Sequence, residues 1–389
     1  MKKKKIIIFG STGSIGKNTL KIINQDFDNF EIILLTSNKN INLLFRQATK
    51  YKVKNLIITN HKKYLIAKKR FSKKFNIYCD FKNLDKIIYT KVDYIMSAIT
   101  GLAGLEPTLN SIPLTRKIAI ANKESIICGW NLIKKKLLKY NTKFIPVDSE
   151  HFSLYSLIDT LKIDNIENAI LTASGGPFLN LPLSKFSSIS IHKAINHPNW
   201  KMGNKISIDS ATMMNKVFEI IEAQRIFNIK LNKLSILVHP KSYVHAIVKF
   251  KNGLIKTLIH ETSMTIPIFN SIYDNGTKNF KTKKIDLKSL NNLDFKEVDV
   301  KRYPITDVLK EFSNKVTLFD TIVVAANDEL VSQFLNNNIK FIQINKLLKK
   351  IIKLPEFLKY KRKIPMNIVE IINLNDYVRL KTKKLSVLS

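Results

Sequence analysis

Asp148-Ser149-Glu150 sets two carboxylates two positions apart, directly after an apolar run that ends at Val147. On extended backbone such residues point the same way. They would then share one side at a strand's C-terminal end, where α/β proteins gather their ligands. Like charges this close need a cation or a proton between them, and hard oxygen donors suit Mg²⁺ or Mn²⁺. Taken alone, an Asp-x-Glu is more often a solvated pair than a metal site. A second group lies in the run from Asp209 to Glu219. If that run is helical, Asn215, Lys216 and Glu219 share a face, and an amide, an ammonium and a carboxylate could hold metal and phosphate. The plainer reading is a Lys–Glu helix pair, which contributes roughly 0.2–0.5 kcal/mol. Nothing in the sequence alone brings this face to Asp148 and Glu150.

Between the two groups stand Ser174-Gly175-Gly176-Pro177-Phe178 and Asn196-His197-Pro198-Asn199-Trp200-Lys201-Met202-Gly203. Trp and Met beside Gly and Pro suit a mobile lid that shuts over a ligand. Core packing of Trp200 and Met202 explains the pattern equally well. His197 precedes a proline in a loop, which argues against a buried structural role.

The elements that must position these groups begin with a short buried strand at 6–9. Gly10-Ser11-Thr12-Gly13-Ser14-Ile15-Gly16 follows, and then a helical stretch, Lys17 to Phe27. Strand, glycine turn and helix together form a variant of the dinucleotide fingerprint. The glycines let the backbone approach a pyrophosphate, and the helix N-terminus offers it free N–H groups. A tight turn with no ligand is the bland alternative. After the second strand, Glu31–Thr36, NAD readers place a carboxylate for the ribose 2′-hydroxyl. This chain offers Ser37-Asn38-Lys39-Asn40 instead. Lys39 and the flanking amides would welcome a 2′-phosphate, which favours NADPH over NADH. Strands alternating with helices continue through residue 147 and predict a parallel doubly wound sheet.

After Asp148 the strand-like segments crowd together at 169–173, 235–238, 246–250 and 254–259. Helices at His151–Leu161 and Thr212–Phe227 interrupt them. From Pro304 onward the pattern is helical, and Asn367 with Glu370 reads as a helix-starting cap. The expected organisation is an α/β chain in four parts: a Rossmann-like domain over 1–148, an α+β catalytic and dimerisation domain over 149–273 with a lid near 174–204, a polar linker over 274–300, and a C-terminal helical bundle over 301–389.

Composition excludes several classes. The chain has 389 residues with 45% hydrophobic content, enough to fill real cores. Its net charge of +35 raises the possibility of a nucleic-acid partner. The lysines are spread along the whole length among Ile and Asn, however, as base composition alone would produce. No basic, aromatic-laced face or known module accompanies them. No apolar run spans a bilayer. Two distant cysteines, Cys79 and Cys128, fit a reducing compartment, and a cytoplasmic location is expected. The start, Met1 to Phe9, reads as a strand rather than a signal peptide.

Taken together, the chain resembles the 1-deoxy-D-xylulose-5-phosphate reductoisomerase family. The stretches that carry the resemblance are Gly10–Gly16, Ala121–Ser125, Pro146–His151, Ala173–Phe178, His197–Gly203, Ile208–Lys216 and Val238-His239-Pro240 with Ser242. Gly101–Leu109, Arg302-Tyr303-Pro304 and Ala325-Ala326-Asn327 also fit, in the right order and over nearly the whole chain. The resemblance implies NADPH at Thr12, Gly13, Ser14, Ile15, Asn38, Lys39, Asn40, Asn122, Glu124 and Gly203. It implies Mg²⁺ or Mn²⁺ on Asp148, Glu150 and Glu219. It assigns substrate and phosphate to Lys123, Ser149, Glu150, Ser174, His197, Ser210, Asn215, Lys216 and Glu219, with Lys123, Glu150, His197 and Lys216 nearest the chemistry. It also implies a homodimer, and it implies rearrangement and NADPH reduction of 1-deoxy-D-xylulose 5-phosphate to 2-C-methyl-D-erythritol 4-phosphate in isoprenoid precursor synthesis.

The chain departs from the family pattern at Asn38, at Lys241, at Val217 and over His260–Thr265. None of these removes a proposed metal ligand. The rival expectation is another NADP-linked dehydrogenase of an acidic or phosphorylated carbonyl compound, of the aspartate-semialdehyde type. It would need a catalytic cysteine, and Cys128 lacks a convincing setting.

Overall fold

The computed structural model describes residues 3–158, 163–200, 202–273, 278–284 and 286–387. Met1 and Lys2, residues 159–161 of the expected helix, Lys201 of the expected lid, and 274–277 and 285 of the expected linker lie outside the described residues. The chain splits into two compact units, one spanning 1–125, 132–148 and 264–281 and the other 126–131, 149–263 and 282–389.

The first unit is organised by a sheet of β1 (Lys4–Phe9), β2 (Phe30–Ser37), β3 (Asn55–Ile58), β4 (Asn76–Tyr78), β5 (Tyr94–Ser97), β6 (Lys117–Ile120) and β7 (Lys143–Pro146). The order is β4-β3-β2-β1-β5-β6-β7, and every pairing is parallel. β1 is apolar throughout Ile6–Phe9 because it is covered on both faces. The strand order reverses at β1, between β2 and β5, and such a reversal opens a ligand crevice at the C-terminal strand ends. The glycine turn after Phe9 stands at that point.

Residues 264–281 return to this unit. Ile268, Phe269, Ile272 and Tyr273 join its core, and Tyr94 is hydrogen-bonded to Ser271 at 2.7 Å. The expected boundary at 273 therefore differs from the observed grouping, because burial of one apolar helix face outweighs the polarity of the residues after it. The stretch expected as a linker also holds a short helix, Leu287–Leu290, and a strand at Lys296–Glu297.

The second unit contains β8 (Ile166–Ala173), β9 (Leu234–Val238), β10 (Val244–Phe250), β11 (Ile255–Ile259) and β12 (Lys296–Glu297) in the order β11-β10-β8-β9-β12. β8 and β9 are parallel, and the other pairings are antiparallel. Two helices lie against its core. Ser149–Ile158 contributes Leu154, Leu157 and Ile158, and Met214–Phe227 contributes Ile220, Ala223 and Phe227. Each fully buried Ile or Phe adds roughly 1.5–3 kcal/mol, so these faces fix how the helices sit on the sheet.

The C-terminal part is helical, as expected. Leu318–Leu335 and Ile368–Val387 are its longest members, and Asn367 Oδ1 accepts from Glu370 N at 3.0 Å, as the cap requires.

Candidate active site

The glycine turn in the first unit is built as its sequence demands. Gly10 has φ of +74°, and a Cβ there would stand 2.5 Å from the Ala98 carbonyl oxygen. A Cβ on Gly16 would stand 2.4 Å from Gly10 O and 2.5 Å from Ser11 Cα. Both obstacles are backbone, so only glycine lets the helix Ser14–Asn24 begin this close to β1. The turn is then tied to β2. Gly10 N donates to Thr36 Oγ1 at 2.8 Å, and Thr12 is hydrogen-bonded to Ser37 at 2.9 Å.

Asn38 donates to Thr59 Oγ1 at 2.8 Å, and Asn40 caps the helix Ile41–Lys50 by accepting from Leu43 N at 3.2 Å. Lys39 is exposed beside them. Asn122 caps the helix Lys123–Tyr140, accepting from Ser125 N at 2.6 Å, and it donates to Gly101 O at 2.7 Å. Its amide therefore shapes the 99–101 loop. Lys123 pairs with Asp148, which fixes the carboxylate at the end of β7.

In the second unit the carboxylates are gathered by helix starts rather than by a strand. The chain turns helical at Ser149, so the expected extended segment carrying Asp148 and Glu150 on one side is corrected. Glu150 lies in the first helical turn, where the helix dipole favours negative charge. Ser149 Oγ donates to Glu150 Oε2 at 2.6 Å, and Lys216 Nζ donates to Glu150 Oε1 at 2.8 Å.

Lys216, Glu219 and Asn215 lie on the first turns of Met214–Phe227 and share a face, as the spacing predicts. Lys216 pairs with Glu219, and Asn215 Nδ2 also donates to Glu219. Burial would push the Lys216 ammonium down, but Glu150 and Glu219 more than offset this, and its pKa stands above the ordinary lysine value. Glu150 and Glu219 offer carboxylate oxygens within 4.8 Å of one another. Two hard anionic donors already converging on one cationic group are a chemically fitting set for a divalent ion.

The glycine pair near the second group is also required. Gly175 and Gly176 have φ of +81° and +65°, and a Cβ on Gly176 would stand 2.9 Å from Ser210 O. This brings the Ser174 loop against the helix Asn204–Thr212 that carries Ser210. Ser174 Oγ lies 2.9 Å from His197 Nε2. Burial pushes the His197 imidazole down to about 4, so the ring is neutral near pH 7. Gly203 starts that helix with ordinary backbone angles and open space where a Cβ would go, so no steric need for glycine exists there.

Sequence reasoning assigned no role to Arg302 and Tyr303. Arg302 Nη1 donates to the carbonyls of Phe178 and Leu181, at 2.7 Å each, and Tyr303 OH donates to Gly175 O at 2.7 Å. Together they clamp the base of the Ser174 loop. Their presence as an Arg-Tyr-Pro motif was the available signal.

The departures are accommodated. Val217 is buried in the core, and His260 stacks on His245 with ring centroids 3.7 Å apart. Cys128 is buried inside the helix Lys123–Tyr140, which removes the setting that a cysteine-dependent dehydrogenase needs.

Residues 6–129 match the family model for 1-deoxy-D-xylulose 5-phosphate reductoisomerase. Residues 144–227 and 259–381 match two models for C-terminal domains of the same enzyme. A curated reductoisomerase of this name from Pelagibacter ubique is 58% identical over 387 residues, covering 99% of this chain and 100% of that protein. Another, from Wolbachia pipientis wMel, is 38% identical over 349 residues, covering 88% of each. Among solved structures, the reductoisomerase from Zymomonas mobilis in complex with NADPH is similar with a TM-score of 0.87 at 30% identity, covering 99% of both chains. A DOX-P reductoisomerase in complex with NADPH, fosmidomycin and magnesium gives a TM-score of 0.91 at 28% identity, covering 99% of this chain and 98% of that one.

Proposed function

Since this chain belongs to the 1-deoxy-D-xylulose 5-phosphate reductoisomerase family, we propose that its second-unit carboxylates hold the metal and that its glycine turn holds the cofactor. The reaction is the NADPH-dependent rearrangement and reduction of 1-deoxy-D-xylulose 5-phosphate to 2-C-methyl-D-erythritol 4-phosphate, and it depends on a divalent cation. The observation that carries the site assignment is the convergence of Glu150 and Glu219 on the buried Lys216.

Glu150 and Glu219 supply two of the metal's oxygen donors, and Asp148, two positions before Glu150 in the chain, supplies the third. When bound, the divalent ion stabilises the negative charge that develops on the substrate's oxygens as the carbon skeleton rearranges. Lys216 lends positive charge to the same place. Ser149 orients Glu150, and Lys123 holds Asp148. Ser174, His197, Ser210 and Asn215 receive the phosphate with neutral donors. Lid residues 174–204 exclude water once the phosphate is held, so that remote binding energy drives closure.

At the other ligand, Thr12, Ser14 and Ile15 present backbone N–H groups to the pyrophosphate of NADPH, while Gly13, whose own N–H donates to Gly10 O at 3.0 Å, closes the turn that cradles it. Asn38, Lys39 and Asn40 meet the 2′-phosphate. Asn122, Glu124 and Gly203 complete the cofactor's surroundings. A homodimer in the cytoplasm completes the reading. Two exposed isoleucines on the edge strand β11, Ile255 and Ile259, favour the dimer.

The test is NADPH oxidation followed by absorbance with 1-deoxy-D-xylulose 5-phosphate and Mn²⁺, repeated with chelator, with NADH, and with Glu150→Gln. Oxidation that needs the cation, prefers NADPH and is lost in the variant supports the assignment. Oxidation at the wild-type rate by Glu150→Gln removes the metal role from this carboxylate.

A further inference from the structure

The turn from His197 to Trp200 is built around one imidazole nitrogen. The backbone N–H groups of Asn199 and Trp200 both donate to His197 Nδ1, each at 3.1 Å. A ring nitrogen that accepts from two N–H donors presents a lone pair and carries no proton. In the neutral ring the proton then sits on Nε2, which donates to Ser174 Oγ at 2.9 Å. Gly176 N donates to the same oxygen at 3.0 Å. With two donors aimed at its oxygen, the Ser174 hydroxyl turns its own hydrogen away from both.

What fixes this turn is the carboxamide of Asn199. Its Nδ2 donates to Pro240 O at 2.6 Å and to Ser242 Oγ at 3.0 Å. Those acceptors lie in the tight turn between β9 and β10. Ser242 N donates back to His239 O at 3.0 Å there, and Ser242 has φ of +56°. A turn held at both ends by sheet strands is a firm anchor.

We propose that Asn199 is a positioning residue. By tying the 197–200 turn to Pro240 and Ser242 it keeps two backbone amides on His197 Nδ1, so that the neutral ring holds its Nε2–H on Ser174 Oγ and leaves the Ser174 hydroxyl hydrogen to donate to the substrate's phosphate. The inference rests on the reading of 174–204 as a lid over that phosphate. It places the effect in the donor character of the carboxamide rather than in its size. A carbonyl oxygen such as that of Pro240 can only accept, so the isosteric Asn199→Asp sets a carboxylate against it.

The experiment uses the full chain labelled with ¹⁵N-histidine, in wild type, Asn199→Asp and Asn199→Ala. The His197 signals are identified by their loss in His197→Gln. Long-range proton–nitrogen spectra of the substrate-free protein read the tautomer. The expected wild-type pattern is a single Nε2–H form, and both variants should drift toward a mixture. In turnover assays both variants should raise KM for 1-deoxy-D-xylulose 5-phosphate about five- to tenfold, as loss of one or two buried hydrogen bonds allows. Their kcat should change less than about twofold, as for an interaction made equally in ground and transition states. The Kd for NADPH should stay at the wild-type value and report an intact fold. A wild-type tautomer pattern and KM in both variants overturn the proposal. If the wild type fails to turn over the sugar phosphate, the functional reading falls instead, while the tautomer comparison, which needs no substrate, still decides the role of Asn199.

Discussion

Lys216 Nζ lies 2.8 Å from Glu150 Oε1 and pairs with Glu219 as well, and the whole residue is 4% exposed. One buried ammonium thus holds together two carboxylates from two helix starts. Such a cluster is a poor source of stability in itself, because desolvating the charges costs about what their attraction returns. It makes better sense as a site kept ready for a cation.

Removing the ammonium tests this. Lys216→Met leaves Glu150 and Glu219 facing each other and should destabilise the cation-free protein by about 3–5 kcal/mol, the usual cost of orphaning a buried ion pair. Added Mg²⁺ or Mn²⁺ should restore part of that loss, so the rise in Tm on metal addition should be larger in the variant than in wild type. An equal rise in both would mean that the glutamates do not hold the ion.

His197 sets a pH dependence of stability. Burial lowers its folded pKa to about 4 from the ordinary 6.5. Between those values the unfolded chain takes up a proton that the folded ring refuses, so stability rises with pH across the window. The contribution is fully present above about pH 6.5 and is lost as pH falls toward 4. A shift of this size would be worth roughly 3 kcal/mol, and solvent screening of a partly exposed ring cuts that to about 1–2 kcal/mol. Urea melts of His197→Asn at pH 4.5 and 7 should show a correspondingly flatter pH profile than wild type.

The glycine turn allows a paired comparison. A Cβ at Gly16 meets backbone at 2.4 Å, whereas at Gly203 it meets nothing within 4 Å. Gly16→Ala should lower NADPH affinity by at least about tenfold, because the helix N-terminus is pushed away from the pyrophosphate site. Gly203→Ala should keep the same fold and melt within about 0.5 kcal/mol of wild type. NADPH fluorescence titration and thermal melts of the two variants check both statements.

Tyr303 and Arg302 should act at a distance. Tyr303→Phe removes one buried donor to Gly175 O and should cost about 1–2 kcal/mol. Arg302→Ala frees the carbonyls of Phe178 and Leu181. Limited proteolysis should then cut the loop after Phe178 faster than in wild type, with NADPH binding unchanged. Equal cleavage rates would show that the loop base is held by other contacts.

Much of this was legible because the chemistry is local. A glycine beside backbone oxygens, an asparagine capping its own helix, and Lys216 one turn before Glu219 are all set by residues a few positions apart. Period and steric exclusion therefore determined the glycine turn, the Asn367 cap, the parallel first sheet and the shared face of Asn215, Lys216 and Glu219. The local reading failed where local options compete. Asp148 to Glu150 is compatible with a strand end or a helix start, and burial of Leu154, Leu157 and Ile158 on the second sheet decided for the helix. The return of 264–281 to the first unit was hidden for the same reason, since its apolar face does not say which core it fills. Only the tertiary structure brought Glu150 to Lys216 across 66 positions and Arg302 to Phe178 across 124. Such meetings depend on how whole helix faces seat on a sheet, a sum over many buried side chains that no short motif encodes.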